Sequence, residues 1–335
     1  MRYHLHYYLR FILKLHFRRL INLFKLQASY HVSVRMRKPL HWGLPASISV
    51  EPLTLCNLQC PECPSGQHLF TRPTGMADVS LYAERLKQLS PELIYLILYF
   101  QGEPLLHSGF AGMVQIAAQM KIFTATSTNA IYLTPKTSEQ LILAGLDDIV
   151  VSLDGLDQET YAKYRRGGSY AKAVQGIRNL VEARKRLDRL NPFIRLQFIV
   201  MKHNMHQMEA VKKFGKELGV DRVELKTAQI YDMTDPNGIV PEGSKYARYK
   251  RGKDGLFELI NPTPNRCYRM WSGAVITWDG TVVPCCYDKD ADHALGSLKD
   301  SDFRTIWKSQ AADVFRRKVF SNRKGIDMCV NCPEK

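Results

Sequence analysis

Three cysteines fall within eight residues of this chain, in the run Cys56-Asn-Leu-Gln-Cys60-Pro-Glu-Cys63. Spacings of three and then two residues let one loop wrap its thiolates around a single metal centre. Thiolates hold iron–sulfur cubanes, which normally take four cysteines. No fourth cysteine lies nearby, so a cubane here would keep one iron open. An open coordination position marks a site for chemistry rather than structure. A structural zinc site completed by a distant residue is the competing reading, but zinc usually pairs two Cys-x2-Cys knuckles, and only one is present here.

The other five cysteines lie after residue 266. Cys267 is followed by Trp278-Asp-Gly280-Thr between two apolar runs, then by Cys285, and the tail carries Cys329-Val-Asn-Cys332. The Asp-Gly pair is a hairpin signal, expected to bring Cys267 and Cys285 onto neighbouring strands, with Cys329 and Cys332 supplying the other pair. Four thiolates make a closed site suited to electron transfer or structure, and zinc accepts the same ligands. Cys286 is spare and is expected as a buried thiol. Clustered rather than scattered cysteines read as metal ligation in a reducing, cytoplasmic setting, not as disulfides.

Four further motifs could touch a ligand. In Phe100-Gln-Gly102-Glu103-Pro104, Gly102 lets backbone approach closely and Glu103 offers an acceptor to an ammonium. Ser127-Thr-Asn129-Ala130 and Ser152-Leu-Asp154-Gly155 follow, and then Tyr164-Arg165-Arg166-Gly-Gly168, where an arginine fork suits a carboxylate. Each alone is an ordinary turn or cap; their positions give them weight.

Those positions are set by a regular alternation. Apolar, β-branched runs at Ile48–Leu53, Leu93–Phe100, Phe123–Ser127, Ile149–Leu153, Ile194–Met201 and Arg222–Lys226 are followed by helix-like stretches such as Leu81–Leu89, Phe110–Met120, Ser138–Ala144, Tyr170–Leu187 and Met205–Leu218. Six such units predict an α/β fold, a partial (β/α)6 TIM-like barrel with a small C-terminal cysteine-rich domain. Every motif above sits just past a predicted strand, where barrels build active sites. Glycines and prolines crowd around Asp232–Asn265, which reads as a long connection. The expected organisation is a basic segment at 1–45, the barrel at 46–235, a linker at 236–264 and the cysteine-rich domain at 265–335.

Cys-x3-Cys-x2-Cys after the first strand of a six-unit barrel resembles the radical S-adenosylmethionine superfamily, and the tail resembles its SPASM or twitch extension. The resemblance runs from about residue 46 onward. It implies a [4Fe-4S] cluster on Cys56, Cys60 and Cys63, with S-adenosylmethionine bound at the open iron. Gly102, Glu103, Pro104, Asn129, Ser152 and Arg165 are the implied contacts to that cofactor, Arg165 being favoured over Arg166. A second [4Fe-4S] cluster on Cys267, Cys285, Cys329 and Cys332 is implied, with a reducing donor such as flavodoxin or ferredoxin. The implied activity is reductive cleavage to a 5′-deoxyadenosyl radical that abstracts hydrogen, giving net oxidation or modification of a small alcohol, sugar or lipid-linked substrate. Modification of a ribosomally made peptide is the alternative, and a non-catalytic electron-transfer protein a more distant one. Two departures stand out: Gln101 replaces a family glycine, and Glu62 replaces the aromatic that often precedes the third cysteine.

The head of the chain is unlike the rest. Of a net charge of +15, the first fifty residues contribute nine Lys or Arg and no acid. Tyr8–Leu26 has the spacing of an amphipathic helix, with Arg10, Lys14, Arg18, Asn22 and Lys25 on one face. It is too often interrupted by charge to span a bilayer, which takes roughly 18 or more apolar residues. Two readings follow: a helix lying on an anionic membrane at its inner face, or a helix packed on the body with its basic face in water. The charge also suits nucleic acid, but no recognition module for it is present.

Overall fold

The computed structural model describes residues 2–261 and 263–333. Six parallel strands run in chain order: β1 (Ser47–Val50), β2 (Tyr95–Ile97), β3 (Phe123–Thr128), β4 (Asp148–Ser152), β5 (Phe193–Val200) and β6 (Arg222–Thr227). Each pairs with the next in parallel register, for example Val150 with Arg195 and Gln197 with Glu224. Helices Val79–Leu89, Phe110–Gln119, Pro135–Leu143, Tyr170–Arg186 and Met208–Leu218 cover the outside. Caps place several of them: the side chains of Asp78, Thr134 and Ser169 accept from the first-turn N–H groups, satisfying donors the helix itself cannot. The α/β partial barrel expected from the alternation is the fold observed.

The connection at 236–264 is less plain than its composition suggests. It holds an antiparallel pair, β7 (Tyr249–Arg251) and β8 (Phe257–Leu259). Ile239, Val240, Tyr249 and Phe257 are buried there with Met201 and Ile230 beside the barrel mouth.

The C-terminal module continues the barrel's own sheet. The strands β9 (Gly273–Ile276), β10 (Thr281–Val283) and β11 (Gly296–Ser297) form a meander whose first strand lies parallel to β1. The resulting order is β11-β10-β9-β1-β2-β3-β4-β5-β6. A buried bidentate pair locks this junction: Arg72 donates to both oxygens of Glu51 at 2.9 and 2.6 Å, and the Trp278 N–H reaches the same carboxylate at 3.2 Å.

The basic head forms two helices, α1 (Arg2–Leu13) and α2 (Phe17–Met36), rather than one through Tyr8–Leu26. They cross the barrel floor, at the N-terminal ends of the strands. They pack on the body, as one of the two readings has it, but the basic face is divided: Arg10 and Lys14 point inward while Arg18 and Lys25 stay exposed. Arg10 and Lys14 both pair with the buried carboxylate of Asp147. Arg19 is buried and donates to the carbonyls of Lys14, Lys121, Ser90 and Met120 at 2.6–3.3 Å. Three of those carbonyls end helices of the barrel wall, where a cation is favoured. Asn22 bonds both the carbonyl and the N–H of Leu44.

Candidate active site and cluster sites

A cavity of about 420 Å³ opens at the C-terminal ends of the strands. The loop after β1 brings Cys56, Cys60 and Cys63 to one side of it. Local bonds hold that loop in shape. The Cys63 N–H donates to the Cys60 carbonyl at 3.2 Å, and the Gln67 amide bonds the carbonyls of Gln59 and Cys60 at 3.0 and 3.1 Å. Gly66 fits where a Cβ would stand 2.8 Å from the Cys60 nitrogen. Burial pushes the Cys56 thiol up to about 12 and the Cys60 thiol up to about 11.

Gly102 sits at φ +74°, and a Cβ there would lie 2.4 Å from the Leu53 carbonyl oxygen. Only glycine meets both conditions. Its N–H donates to Ser65 Oγ at 2.9 Å, tying the turn to the cysteine loop. Glu103 is buried and lines the cavity, where it accepts from Thr128 Oγ1 at 2.6 Å, the Asn129 N–H at 2.8 Å and the Leu105 N–H at 3.2 Å. Burial raises its pKa and these three bonds oppose the rise. Pro104 is buried and opens the next turn, Pro104–Leu106, without lining the cavity.

Asn129 and Ser152 line the cavity at the ends of β3 and β4, and the Asn129 amide bonds Asn57 at 2.8 Å within the cysteine loop. Ala130 takes φ 68°, a left-handed conformation that glycine adopts without cost. Arg165 lines the cavity and binds the buried Asp154 at 2.6 Å, while Arg166 is exposed and reaches Asn237 at 3.4 Å. Glu62 also lines the cavity; its carboxylate accepts from the Tyr231 N–H at 2.9 Å and the Asn237 amide at 2.7 Å.

The far wall was read from the sequence only in the run Lys226-Thr-Ala-Gln229, which follows the sixth strand as the other motifs follow theirs. It consists of Gln197 on β5, Lys226 and Thr227 on β6, then Gln229, Tyr231, Arg248 and Lys289. The signal for part of it is in the strands. β5 and β6 carry polar residues at alternate positions, Arg195 and Gln197, Glu224 and Lys226, in a setting where both faces should be apolar. Below the cavity, Arg195 pairs with Asp148 on β4 and faces Glu224 at 3.6 Å.

The second cysteine set also converges. Cys267, Cys285, Cys329 and Cys332 line one enclosed space with Met270, Tyr287, Phe315 and Arg323. The hairpin forms as expected, with Val282 opposite Ile276, but Cys267 precedes β9 by a helical turn and Cys285 follows β10, so neither is on a strand. Arg323 Nη2 reaches Cys332 Sγ at 3.3 Å, a cation placed to offset thiolate charge. Cys286 does not line that space; half-buried rather than buried, it touches Cys285, packs with Phe100, Val275 and Val283 and is bonded by Arg269 at 3.2 Å.

These donors fit iron–sulfur clusters. All eight cysteines are free, three face the open cavity and four enclose a second space. Among the described residues no three His, Cys, Asp or Glu are gathered tightly enough for a single ion; lining a space is what a multi-iron cluster asks of its ligands.

Comparison with known proteins agrees with this geometry. The radical SAM superfamily model matches residues 50–214, and the SPASM iron–sulfur cluster-binding domain matches residues 267–333. The chain belongs to the radical S-adenosylmethionine superfamily and carries a SPASM domain. It is a radical S-adenosylmethionine enzyme whose cofactors are [4Fe-4S] clusters and S-adenosylmethionine.

The chain is 26% identical over 293 residues to the tungsten-containing aldehyde ferredoxin oxidoreductase cofactor-modifying protein of Pyrococcus furiosus, covering 80% of this chain and 82% of that one. It is 24% identical over 291 residues to PqqA peptide cyclase of Gluconobacter oxydans, covering 81% and 79%. Among solved structures, Streptococcus suis SuiB bound to precursor peptide SuiA superposes with a TM-score of 0.63 at 15% identity, covering 91% of this chain and 73% of SuiB. That last likeness is one of fold.

Proposed function

We propose that this enzyme modifies a peptide bearing acidic groups. S-adenosylmethionine is held by Gly102, Glu103, Asn129, Ser152 and Arg165 beside a cluster on Cys56, Cys60 and Cys63, with Pro104 fixing the turn. Cys267, Cys285, Cys329 and Cys332 hold the auxiliary cluster. When bound, the cluster and S-adenosylmethionine supply a 5′-deoxyadenosyl radical, chemistry that no side chain carries.

The chain's own residues orient that chemistry. Gly102 admits the ligand to the backbone, Glu103 presents a carboxylate fixed by three donors, and the pairing with Asp154 holds the Arg165 guanidinium at the rim. The cavity walls keep water from the reacting atoms. The four-cysteine site is closed and suits electron acceptance, which makes net oxidation of the substrate the expected outcome. A reducing donor such as flavodoxin or ferredoxin supplies the initiating electron. Placement at the inner face of a membrane belongs to the same reading and is carried by the N-terminal helices.

The far wall of the cavity carries the substrate assignment. Lys226, Arg248 and Lys289 stand there with Gln197 and Gln229. Among the described residues, the only carboxylate lining the cavity besides Glu103 is Glu62, which Tyr231 and Asn237 already occupy. Lys226 also reaches Glu224 at 3.2 Å. Arg248 Nη1 and Gln229 Nε2 are buried donors with no partner among the described residues, a cost that an acceptor-rich substrate relieves. The names of PqqA peptide cyclase and of the SuiB–SuiA complex support a peptide.

The test uses the reconstituted holoenzyme, without oxygen, on short peptides encoded beside its gene. The expected product is lighter by a pair of hydrogens and forms together with 5′-deoxyadenosine. The same peptide with its acids amidated should be a poor substrate. A small alcohol or sugar is the second reading, favoured by the single auxiliary cysteine set among the described residues. Unmodified peptides alongside a carbonyl product from a polyol, trapped by a hydrazine, would establish it instead.

A further inference from the structure

The N-terminal helices are amphipathic in the inverse sense. Toward the barrel they turn Arg10, Lys14, Arg19, Asn22, Ser29 and Ser33, with Leu26 buried among them and Phe11 packed on the core. Toward solvent they turn Leu5, Tyr8, Leu9, Ile12 and Leu13 on α1, then Phe17, Leu20, Ile21 and Phe24 on α2. These are i, i+3, i+4, i+7 stripes, one on each helix. Leu13, Phe17 and Phe24 are 78%, 79% and 74% exposed. Together the nine side chains offer apolar surface on the order of 1,000 Å², against roughly 300–600 Å² for the largest patch on an ordinary monomer.

A polar inner face of this kind is costly unless each group is paired. Here Asp147 pairs Arg10 and Lys14, and backbone carbonyls take both terminal nitrogens of Arg19. The outward set of the apolar stripe is therefore held in place by specific bonds.

We infer that this face is a docking surface for an anionic lipid bilayer. Charge selects the occupant. Exposed Arg18, which also pairs with Glu92 at 3.1 Å, and Lys25 fall one position after Phe17 and Phe24, on the flank of the stripe; Arg2 is exposed at the start of α1, and Arg35, Arg37 and Lys38 at the far end of α2. No acid occurs in the first fifty residues. A second copy of the chain would bring two such cationic rims together, whereas anionic headgroups complement them. No helix among the described residues is long and apolar enough to cross a membrane, so the contact is interfacial.

Orientation follows from the barrel. The patch covers the N-terminal ends of the strands, and the cavity opens at their C-terminal ends. Docking therefore turns the active-site mouth away from lipid, and the substrate arrives from water. This inference is independent of which substrate the cavity takes.

Sedimentation of the full chain with vesicles tests it. Phosphatidylglycerol-containing vesicles should carry the protein down, and pure phosphatidylcholine vesicles should carry several-fold less. The variant Leu13→Glu/Phe17→Glu/Phe24→Glu should lower the bound fraction at least tenfold, with thermal midpoint and iron content unchanged. Should that variant fold poorly, Phe17→Glu alone must still lower binding several-fold. Wild-type protein left in the supernatant with both lipids overturns the inference. So does equal sedimentation of wild type and variant, or equal binding to both lipids. A wild-type dimer that the variant converts to a monomer, with no vesicle binding, would show that a second copy covers the face.

Discussion

Replacing Gly102 with alanine separates two costs that usually come together. The backbone there has φ +74°, and Gly243 has φ +73° with nothing within 4 Å of where a Cβ would stand, so both positions carry the same conformational penalty. That penalty is about 1–2 kcal/mol for a residue with a side chain. At Gly102 the added carbon would also meet the Leu53 carbonyl oxygen at 2.4 Å and the Leu55 carbonyl oxygen at 2.7 Å. Real contacts essentially never fall below 3.0 Å, so the backbone must open by at least the difference from 2.4 Å. Overpacking of this kind adds roughly 1–3 kcal/mol. The displaced turn carries Glu103, whose N–H donates to the Leu55 carbonyl at 2.8 Å. A misplacement approaching 1 Å costs on the order of 10²-fold in rate. Gly102→Ala should therefore destabilise more than Gly243→Ala and cut 5′-deoxyadenosine formation between about ten- and a hundred-fold, while Gly243→Ala leaves that rate near wild type. Thermal melts and dithionite-driven cleavage of S-adenosylmethionine read both quantities. Equal behaviour of the two variants would refute the assignment of Gly102 to a close-packed ligand turn.

Three other outcomes follow from the site and the core. Anaerobic reconstitution should give about eight irons per chain, and Cys329→Ala should lower that to about four while the enzyme still cleaves S-adenosylmethionine but forms less product. Arg165→Gln leaves Asp154 buried without its cation, at about 3–5 kcal/mol; Asp154→Asn/Arg165→Gln should regain most of that stability in a melt, yet not the affinity for S-adenosylmethionine measured by calorimetry. His41, packed on Trp271 with rings 4.7 Å apart, is held neutral: burial, with Arg316 adding to it, pushes its pKa down to about 3. The unfolded chain takes up a proton near pH 6.5 that the folded one refuses, so stability falls as the pH drops from 6.5, by about 2 kcal/mol at pH 5. Chemical denaturation of His41→Gln should show that much less loss over the same range.

How much of this was legible in the sequence depended on how local the signal was. The barrel strands were readable because parallel strands covered on both faces become short β-branched runs; Asp148–Ser152 and Phe193–Val200 lie within a residue or so of their sequence-based limits. The first cysteine set was readable from its spacing within one loop, whereas the meeting of Cys267 and Cys285 with Cys329 and Cys332 was read from the Asp-Gly hairpin signal and the family resemblance. The parallel pairing of β9 with β1 was not readable. Nothing near Gly273 says that it meets Ser47, and the Arg72–Glu51 pair that fastens the junction joins residues with no motif around them. The far wall of the cavity was half legible. Gln197 and Lys226 stand out as polar residues in apolar strands, but Arg248 and Lys289 come from segments whose composition reads as solvated loop.

The N-terminal helices show where periodicity ends as an argument. A repeat near 3.6 divides a helix into two faces, but it does not say which face meets the protein. The usual inference assigns the apolar face to the core because burying charge is expensive. That inference fails in part here, because the floor that takes Leu26 and packs Phe11 on Phe123 also holds buried polar groups. Asp147 is fully buried and already bonds the Thr124 N–H at 2.8 Å, and the carbonyls of Ser90, Met120 and Lys121 lie at helix ends, where the last carbonyls have no donor within their own helix. At those groups the floor attracts Arg10, Lys14 and Arg19 more than it attracts leucine. The deciding information therefore lay in Asp147 and three helix-end carbonyls far along the chain. The consequence for function is direct: with Arg10, Lys14 and Arg19 paired inward beside Leu26 and Phe11, the stripe from Leu5 to Phe24 faces out, and only an apolar partner recovers its free energy of leaving water.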